Sequence, residues 1–193
     1  SDQLLSGKTN ALLEESRKED KDITDALYAD YKTLRGNLIS AVRDSSTDID
    51  PLDAIATSQT ILDRVLFTAF AEDTGLLPDS ILVRAYEHED PFNPQPVWNN
   101  FKNLFNSIDK GNKALDVPPY NGGLFAPDPL IDRLELSDEV CEGFKKIGEY
   151  DFASEISVTV LGHIFEQSIA DVERLQAIAR GEEVEEKKTS GTS

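Results

Sequence analysis

Residues 52–73 carry apolar side chains over so much of a helical circumference that they constrain the fold more than any other segment. Their main stripe consists of Ile55, Leu62, Val65, Leu66, Ala69 and Phe70, and it is widened by Ile61 and Phe67. A surface helix needs one apolar stripe, whereas a helix this apolar must be packed on several sides. Gly75 and Pro78 follow as stop signals. We therefore expect a central helix that ends near Gly75.

Helical periodicity also predicts the elements around this central helix. The expected helices are 3–43 with a break or exposed turn at the polar stretch Glu19–Asp22, a short helix capped by Asp79 that runs through Glu87, 96–110, 138–149 capped by Ser137, and a last helix capped by Ser157 that extends toward Ala179. Large apolar side chains on these helices should share one core. We expect it to contain Leu62, Val65, Leu66, Phe70, Phe101, Phe105, Phe144, Leu161 and Phe165.

Proline and glycine dominate the connections between the expected helices. Residues 90–96 hold three prolines, and residues 112–129 hold four around Asn121-Gly122-Gly123. Asn-Gly is a strong turn signal, so residues 117–125 could pair as a short ribbon. The sequence therefore predicts a mainly α fold, an irregular helical bundle with long Pro/Gly-rich connections and room for one short β-ribbon. We expect an N-terminal helical arm over 1–50, a body over 51–180 and a flexible linker over 181–193.

The acidic balance of the chain limits its partners. It has 37 acidic and 19 basic residues, a formal net charge of -18, and such a body repels the phosphate backbone of DNA. No stretch of sequence is long and apolar enough for a membrane span, so we expect no membrane partner. Cys141 is the only cysteine, which excludes an internal disulfide and makes the cytoplasm the expected compartment. Because the chain contains no methionine, we interpret it as a fragment of a longer protein.

Catalytic patterns are missing from the sequence. His88, His163 and Cys141 are isolated from one another and predict no metal site. We expect an exposed His88, a part-buried and hydrogen-bonded His163, and a packed Cys141. Residues 116–120 (DVPPY) are close to the Asn/Asp-Pro-Pro-Tyr element of amino-methylating DNA methyltransferases, but Val117 stands where a hydrogen-bond acceptor is needed. We therefore expect no catalytic, cofactor-binding or metal-binding residues in this chain.

Three motifs follow one another along the chain. They are 66–78 (LFTAFAEDTGLLP), 120–125 (YNGGLF) and 151–157 (DFASEIS), the last followed by 160–166 (VLGHIFE). In this order and spacing they resemble the helical spacer domain of type IIG and type IIL restriction–modification enzymes, a group of adenine-specific DNA methyltransferases. Residues 13–18 and 187–193 also resemble that spacer's first helix and the linker that leads to the methyltransferase domain. The resemblance covers about residues 12–193.

This resemblance implies a longer parent chain that methylates adenine in a specific DNA sequence with S-adenosylmethionine, and that requires Mg²⁺ if it also cleaves DNA. The parent's other domains would hold the DNA and the cofactor. The present chain would connect an N-terminal module to the methyltransferase domain, and its motif positions would be structural or would contact those domains. These positions are Glu72, Asp73, Gly75, Tyr120, Asn121, Gly122, Gly123, Phe125, Asp151, Phe152, Gly162 and Glu166.

Two other functions stay open from the sequence. The charge also suits a stand-alone acidic interaction protein such as a DNA mimic, although lysine and arginine are spread along the chain. A small hydrolase would use Glu72 or His163 and would need a deep pocket that joins them. For the pair Glu72-Asp73, the simpler interpretation is that both carboxylates end a helix and hold a loop by hydrogen bonds.

Overall fold

A computed structural model describes the backbone of residues 2–45 and 48–190 and the side chains of residues 7–45 and 48–181. Within these ranges, 73% of the chain is helical and no strand is formed, which confirms the mainly α prediction. The helices are α1 (Asp2–Ser45), α2 (Pro51–Asp73), α3 (Ile81–Glu87), α4 (Val97–Lys110), α5 (Pro129–Arg133), α6 (Asp138–Gly148) and α7 (Val158–Ser190), with a 3-10 turn at Lys113–Leu115.

Helix α2 is the centre of the fold, as its wide apolar stripe predicts. It packs against α1, α3, α5, α6 and α7. Asp50 caps its first turn by accepting a hydrogen bond from the Leu52 amide, and Pro51 occupies a position where no amide is needed. At the other end Gly75 adopts a left-handed conformation with φ of +82°. The amides of Leu76 and Leu77 can then both donate to the Ala71 carbonyl, which ends the helix.

The core contains seven of the nine side chains expected there as buried residues, with aromatic rings of α4 and α6 at its centre. Trp98 and Phe101 both contact Phe144, at ring-centroid distances of 6.1 and 5.1 Å. The Trp98 indole donates to the Leu134 carbonyl at 2.8 Å, which satisfies its one polar atom. Phe70 is only partly buried. The expectation for Phe165 is wrong: this residue is 42% exposed, because it lies beside the buried face of α7 that Leu161 and Ile164 form.

Helix α1 runs without interruption from Asp2 to Ser45, so the predicted break at Glu19–Asp22 is wrong. The stretch is polar, but Lys18 precedes Asp22 by four residues and Lys21 precedes Asp25 by four. Opposite charges at this spacing favour an exposed helix. Side chains 7–22 are all exposed. The second half of α1 belongs to the same core as α2 through Leu27, Tyr31, Leu34, Leu38 and Val42.

The predicted β-ribbon between residues 117 and 125 does not form. One isolated bridge joins Asn112 to Val117 instead. Pro118 and Pro119 follow directly and have no amide hydrogen to donate to a ladder, which explains why no strand develops. Gly123, with φ of +87°, makes a turn in which its carbonyl accepts from the Ala126 amide.

The last helix is longer than the sequence predicts. Ser157 caps it as expected, since its hydroxyl accepts from the Val160 amide at 3.2 Å. The backbone of residues 181–190 continues α7, so no helix end lies where the linker was expected to begin, and residues 191–193 of that linker lie outside the described residues. None of the described helices has the length and apolar content needed to cross a bilayer.

Candidate functional site

The C-terminal end of α2 brings together all three sequence motifs. Its Asp73 carboxylate accepts a hydrogen bond from the Phe152 amide at 2.9 Å. The Tyr120 hydroxyl donates to the carbonyl of Leu76, just beyond the helix end, also at 2.9 Å. The first motif therefore holds the second and the third directly, although they lie roughly 45 and 80 residues away in sequence. We call this set of contacts the motif junction.

Aromatic packing strengthens the motif junction on one side of α2. The Phe67 ring makes edge contacts with Tyr120 and Phe125, with centroids 5.7 and 5.6 Å apart. Phe125 is buried and also touches Phe105 of α4 at 5.9 Å. Such edge-to-face pairs are favourable beyond the apolar area they bury. Both ends of the YNGGLF motif are thus fixed to α2, while Asn121, Gly122 and Gly123 between them are exposed.

Arg64 fixes the end of the same loop, and sequence reasoning missed it. Its guanidinium donates from Nε to the Leu124 carbonyl at 2.7 Å and from Nη2 to the Ala126 carbonyl at 2.8 Å. It also lies over the rings of Phe105 and Phe125. The residue is only 4% exposed, and this burial lowers its pKa against the opposing effect of nearby aspartates. Arg64 is the only basic residue of α2 and lies in its strongly apolar second half, which is the signal that could have revealed it.

Glu72 lies on the other side of α2, where α3 and α6 meet it. It is 2% exposed, and its carboxylate accepts from the Leu82 amide at 3.1 Å in the first turn of α3. Burial raises the pKa of Glu72 to about 7, and the charges of Asp73 and Asp79 act in the same direction. Hydrogen bonds from the Leu82 and Ile81 amides oppose this rise. Together with Asp73, it holds the neighbouring chain by hydrogen bonds, as the simpler interpretation of this pair expects.

A buried polar network joins α1, α2 and α7 at a distance from the motif junction. Arg35 of α1 is 4% exposed and donates to Ser168 at 2.6 Å and to Asp171 at 3.4 Å. Tyr31 contacts Ser168 at 3.0 Å and accepts a hydrogen bond from Gln59 of α2 at 2.9 Å. The local sequence gives no signal for these contacts, because the paired residues lie more than 100 positions apart on α1 and α7.

Asp171 is the acceptor at the centre of this network. The Tyr28 hydroxyl and the Arg174 guanidinium donate to it in addition to Arg35. Burial alone would raise the pKa of Asp171, but the hydrogen bonds from Tyr28 and Gln167 and the charge of Arg35 outweigh it and lower the pKa. Burial and the hydrogen bond to Asp171 raise the pKa of Tyr28 to about 12. The network therefore consists of the charged Asp171 carboxylate and the side chains that donate hydrogen bonds to it.

Several predicted positions lie outside the motif junction. Gly162 and Glu166 are exposed on α7, and the Glu166 carboxylate lies 3.8 Å from the His163 ring. The expected part-buried His163 is wrong, because 72% of its side chain is exposed. His88 is exposed as predicted. Asp151 is the first residue of the third motif, and its carboxylate accepts from the Ala153 and Ser154 amides within the same loop.

Two clefts lie between described side chains, and neither includes Glu72 or His163. A cleft of about 310 Å³ lies beside Arg64, Lys102 and Asn106, and a wider one of about 760 Å³ lies between α3, the proline-rich loop and α4. The pocket that a hydrolase based on Glu72 and His163 requires is therefore not among them. No three histidine, cysteine, aspartate or glutamate side chains converge as metal ligands within the described residues.

Cys141 is packed in the core, as predicted. It is fully buried on α6, and this burial raises the pKa of its thiol to about 12, with a further contribution from the charge of Asp138. A thiol in this state is a poor nucleophile because the thiolate is the reactive form.

Comparison with protein-family models, with curated proteins and with solved structures finds no match for this chain. Its functional interpretation therefore depends on the geometry described above and on the three sequence motifs.

Proposed function

We propose that this chain is a structural helical connector of a DNA restriction–modification enzyme. In this proposal the longer parent chain methylates adenine in DNA with S-adenosylmethionine, and it cleaves DNA with Mg²⁺ if it carries a nuclease module. The methyl donor, the metal and the DNA are held by other domains of that cytoplasmic parent. The connector fixes the distance and orientation between the module before it and the methyltransferase domain after it.

The observation that carries this proposal is that the motif residues contact other parts of the same helical body. The Asp73 carboxylate accepts from the Phe152 amide, and the Tyr120 hydroxyl donates to the Leu76 carbonyl. These polar groups therefore join separate segments of the chain instead of facing a cleft. Phe125 is buried under Arg64. Residues that hold helices and loops together suit a spacer, whose work requires a defined shape. A catalytic site would instead place titratable groups together in a pocket.

Two sets of contacts, the motif junction and the buried polar network, support the proposal that the connector is rigid. The motif junction fixes the segments around residues 120–125 and 151–157, and the buried network fixes α1 against α7. Helix α1 and helix α7 are the longest elements, with 44 and 33 residues. At 1.5 Å per residue, elements of this length can separate two modules by tens of ångströms, roughly the width of a small domain.

Methyl transfer measured on two proteins tests the proposal. One is the chain of residues 1–193, and the other is the complete product of the gene that encodes it. With labelled S-adenosylmethionine and a mixed-sequence duplex, we expect the complete product to label adenine and residues 1–193 to give none. A duplex built only from G·C pairs is the matched control. Turnover by residues 1–193 alone, or a gene that encodes no methyltransferase segment after Ser193, would overturn the proposal.

The acidic DNA-mimic function is the second candidate, and the exposed half of α1 argues against it. A mimic needs rows of acidic groups in place of phosphates, but Arg17 and Lys18 interrupt the acidic residues between Glu14 and Asp20. Specific capture of a purified DNA-binding protein by residues 1–193, competed by duplex DNA, would favour the mimic over the connector.

A further inference from the structure

Helix α7 carries apolar side chains on two faces. The face that packs on the body holds Leu161, Ile164 and Ala179, which are 7%, 3% and 5% exposed, together with the buried polar residues Ser168 and Asp171. The face turned to solvent carries Val158, Phe165 and Ile169, which are 73%, 42% and 61% exposed. A helix in water normally places its apolar stripe inward and its polar residues outward. Contiguous exposed apolar side chains of this size mark an interaction surface.

The exposed residues Val158, Gly162, Phe165 and Ile169 form one continuous stripe with the part-buried Val172. Val158, Gly162, Phe165, Ile169 and Val172 follow one another at spacings of four, three, four and three residues. At about 100° per residue, this spacing keeps all five on one side of the helix over four turns. Gly162 lies within the stripe, and an added Cβ there would meet no atom within 4 Å. The stripe is therefore open, with a central place where another backbone can approach closely.

The charged residues beside the stripe indicate which kind of partner would bind it. Glu166 and Glu173 lie seven residues apart along its outer edge, and both are exposed. The whole chain carries a formal net charge of -18. A second copy would bring equal acidic surfaces together, which disfavours it. An apolar helix with lysine or arginine along its edge would meet the stripe with complementary charges.

We propose that the stripe of α7 formed by Val158, Gly162, Phe165, Ile169 and Val172 is a docking site for an amphipathic helix of a partner, whose apolar face is flanked by basic side chains. This helix-in-groove mode of recognition uses apolar anchors at heptad spacing and charges at the edges. The inference goes beyond the connector function and does not depend on it, because it is argued from the exposure of Val158, Phe165 and Ile169 and from the charges beside them.

A binding measurement with two designed peptides tests the docking site. Both peptides are roughly 21-residue helices with leucine and isoleucine at heptad spacing, and they differ only in having lysine or glutamate at the flanking positions. We expect saturable binding of the lysine-flanked peptide to residues 1–193 by fluorescence anisotropy. We expect the glutamate-flanked peptide to bind at least about tenfold more weakly, with the difference shrinking as salt is raised.

Helix α7 offers a matched pair of variants for this test. Ile169→Ser removes an anchor from the stripe, whereas Ile178→Ser makes the same change at a 54% exposed position that lies about two and a half turns along and on the opposite face. Both side chains are exposed, so both variants should retain the thermal stability of the unmodified chain. We expect Ile169→Ser to weaken binding at least about tenfold and Ile178→Ser to change it less than about twofold.

Three results would overturn the docking site. They are the absence of saturable binding by the lysine-flanked peptide, equal binding of the two peptides, and equal effects of Ile169→Ser and Ile178→Ser. Sedimentation velocity provides a separate check on the occupant. A dimer of residues 1–193 that Ile169→Ser dissociates would show that a second copy, not a basic helix, covers the stripe.

Discussion

Glu72 is a buried acid whose protonation affects the stability of the junction between α2, α3 and α6. Its pKa is raised to about 7 in the fold, whereas an unfolded chain leaves glutamate near its ordinary value of about 4.3. The folded state therefore binds a proton that the unfolded state releases at intermediate pH. The stabilisation is fully present below the unfolded pKa and is lost as the pH rises through about 7.

The first prediction concerns Glu72→Gln, which keeps an acceptor for the Leu82 amide and removes the charge. We expect the free energy of unfolding of the unmodified chain to fall, relative to this variant, by up to about 3 kcal/mol between pH 4.5 and pH 8. Urea unfolding across that range measures the difference. Asp79→Asn, at an exposed neighbour, is the control and should retain most of the pH dependence. Parallel pH profiles for Glu72→Gln and the unmodified chain would contradict this account.

Arg64 is the residue on which the YNGGLF loop depends most. It supplies two charged hydrogen bonds to backbone carbonyls and is nearly fully buried, so no water can replace it without rearrangement. Hydrogen bonds from charged groups contribute more than neutral ones, and a carbonyl left without a donor loses further stability.

We therefore predict that Arg64→Met lowers the free energy of unfolding by about 2–4 kcal/mol. It should also make the exposed segment Asn121–Gly123 more sensitive to limited proteolysis under native conditions. Arg133→Met, at an exposed arginine that bonds only within its own helix, is the matched control and should change neither property. An Arg64→Met protein with unaltered stability and cleavage rate would show that the loop is held by other contacts.

At the scale of helices, two glycines of α6 determine how closely this helix packs against α1 and α3. A Cβ added at Gly148 would lie 3.2 Å from the Leu82 Cβ and 3.3 Å from the Glu72 carboxylate. A Cβ added at Gly143 would lie 2.8 Å from a methyl group of Leu34. Both glycines thus allow α6 to approach its neighbours, Gly148 against α3 and Gly143 against α1.

Gly148→Ala and Gly36→Ala should therefore change stability in opposite directions. Gly148→Ala is expected to lower the free energy of unfolding by about 1–3 kcal/mol, because Leu82 and the Glu72 carboxylate lie 3.1–3.3 Å from the added methyl group and must shift to admit it. Gly36 lies within α1 with nothing within 4 Å of an added Cβ, so Gly36→Ala should raise it by about 0.5–1 kcal/mol through helix propensity. Thermal unfolding of both variants gives the comparison. Stabilisation by Gly148→Ala would contradict the described α3–α6 packing.

The sequence predicts an element well when the interactions that form it join residues close together in the sequence. Helices α2, α4 and α6 follow from local periodicity and from caps such as Ser137, whose hydroxyl accepts from the Val140 amide. The predicted break at Glu19–Asp22 is wrong because a polar helix needs no apolar stripe when it projects into solvent. The ribbon is wrong because the two prolines after Val117 outweigh the Asn-Gly turn.

For the whole molecule, the residues that determine its shape are those that the sequence predicted least well. Among the motif positions, Asp73 accepts a hydrogen bond from Phe152, and Tyr120 and Phe125 both pack on Phe67. Arg64, Arg35 and the buried polar residues Ser168 and Asp171 of α7 were missed. Their partners lie about 60 to 136 residues away in sequence, so no local pattern contains them. Phe165 was placed in the core because an apolar side chain carries no mark of which helix face is covered.

The buried network between α1 and α7 should determine the orientation of the two longest helices. A buried ion pair with several additional hydrogen bonds contributes to a unique arrangement, and removing one partner leaves a buried charge alone. We predict that Asp171→Ala lowers the free energy of unfolding by about 3–5 kcal/mol, as measured in urea. Glu173→Ala, at an exposed position on the same helix, should leave it nearly unchanged.

The most direct measurement of the connector's rigidity is the distance between spin labels on α1 and α7. Labels at Asn37→Cys and Ala177→Cys occupy exposed positions, and buried Cys141 should not react under native conditions. Pulsed electron–electron double resonance should give one narrow distribution of distances between the two labels, and Asp171→Ala should broaden that distribution. A broad or multimodal distribution in the otherwise unmodified chain would contradict the claim that this helical body holds two modules at a fixed separation.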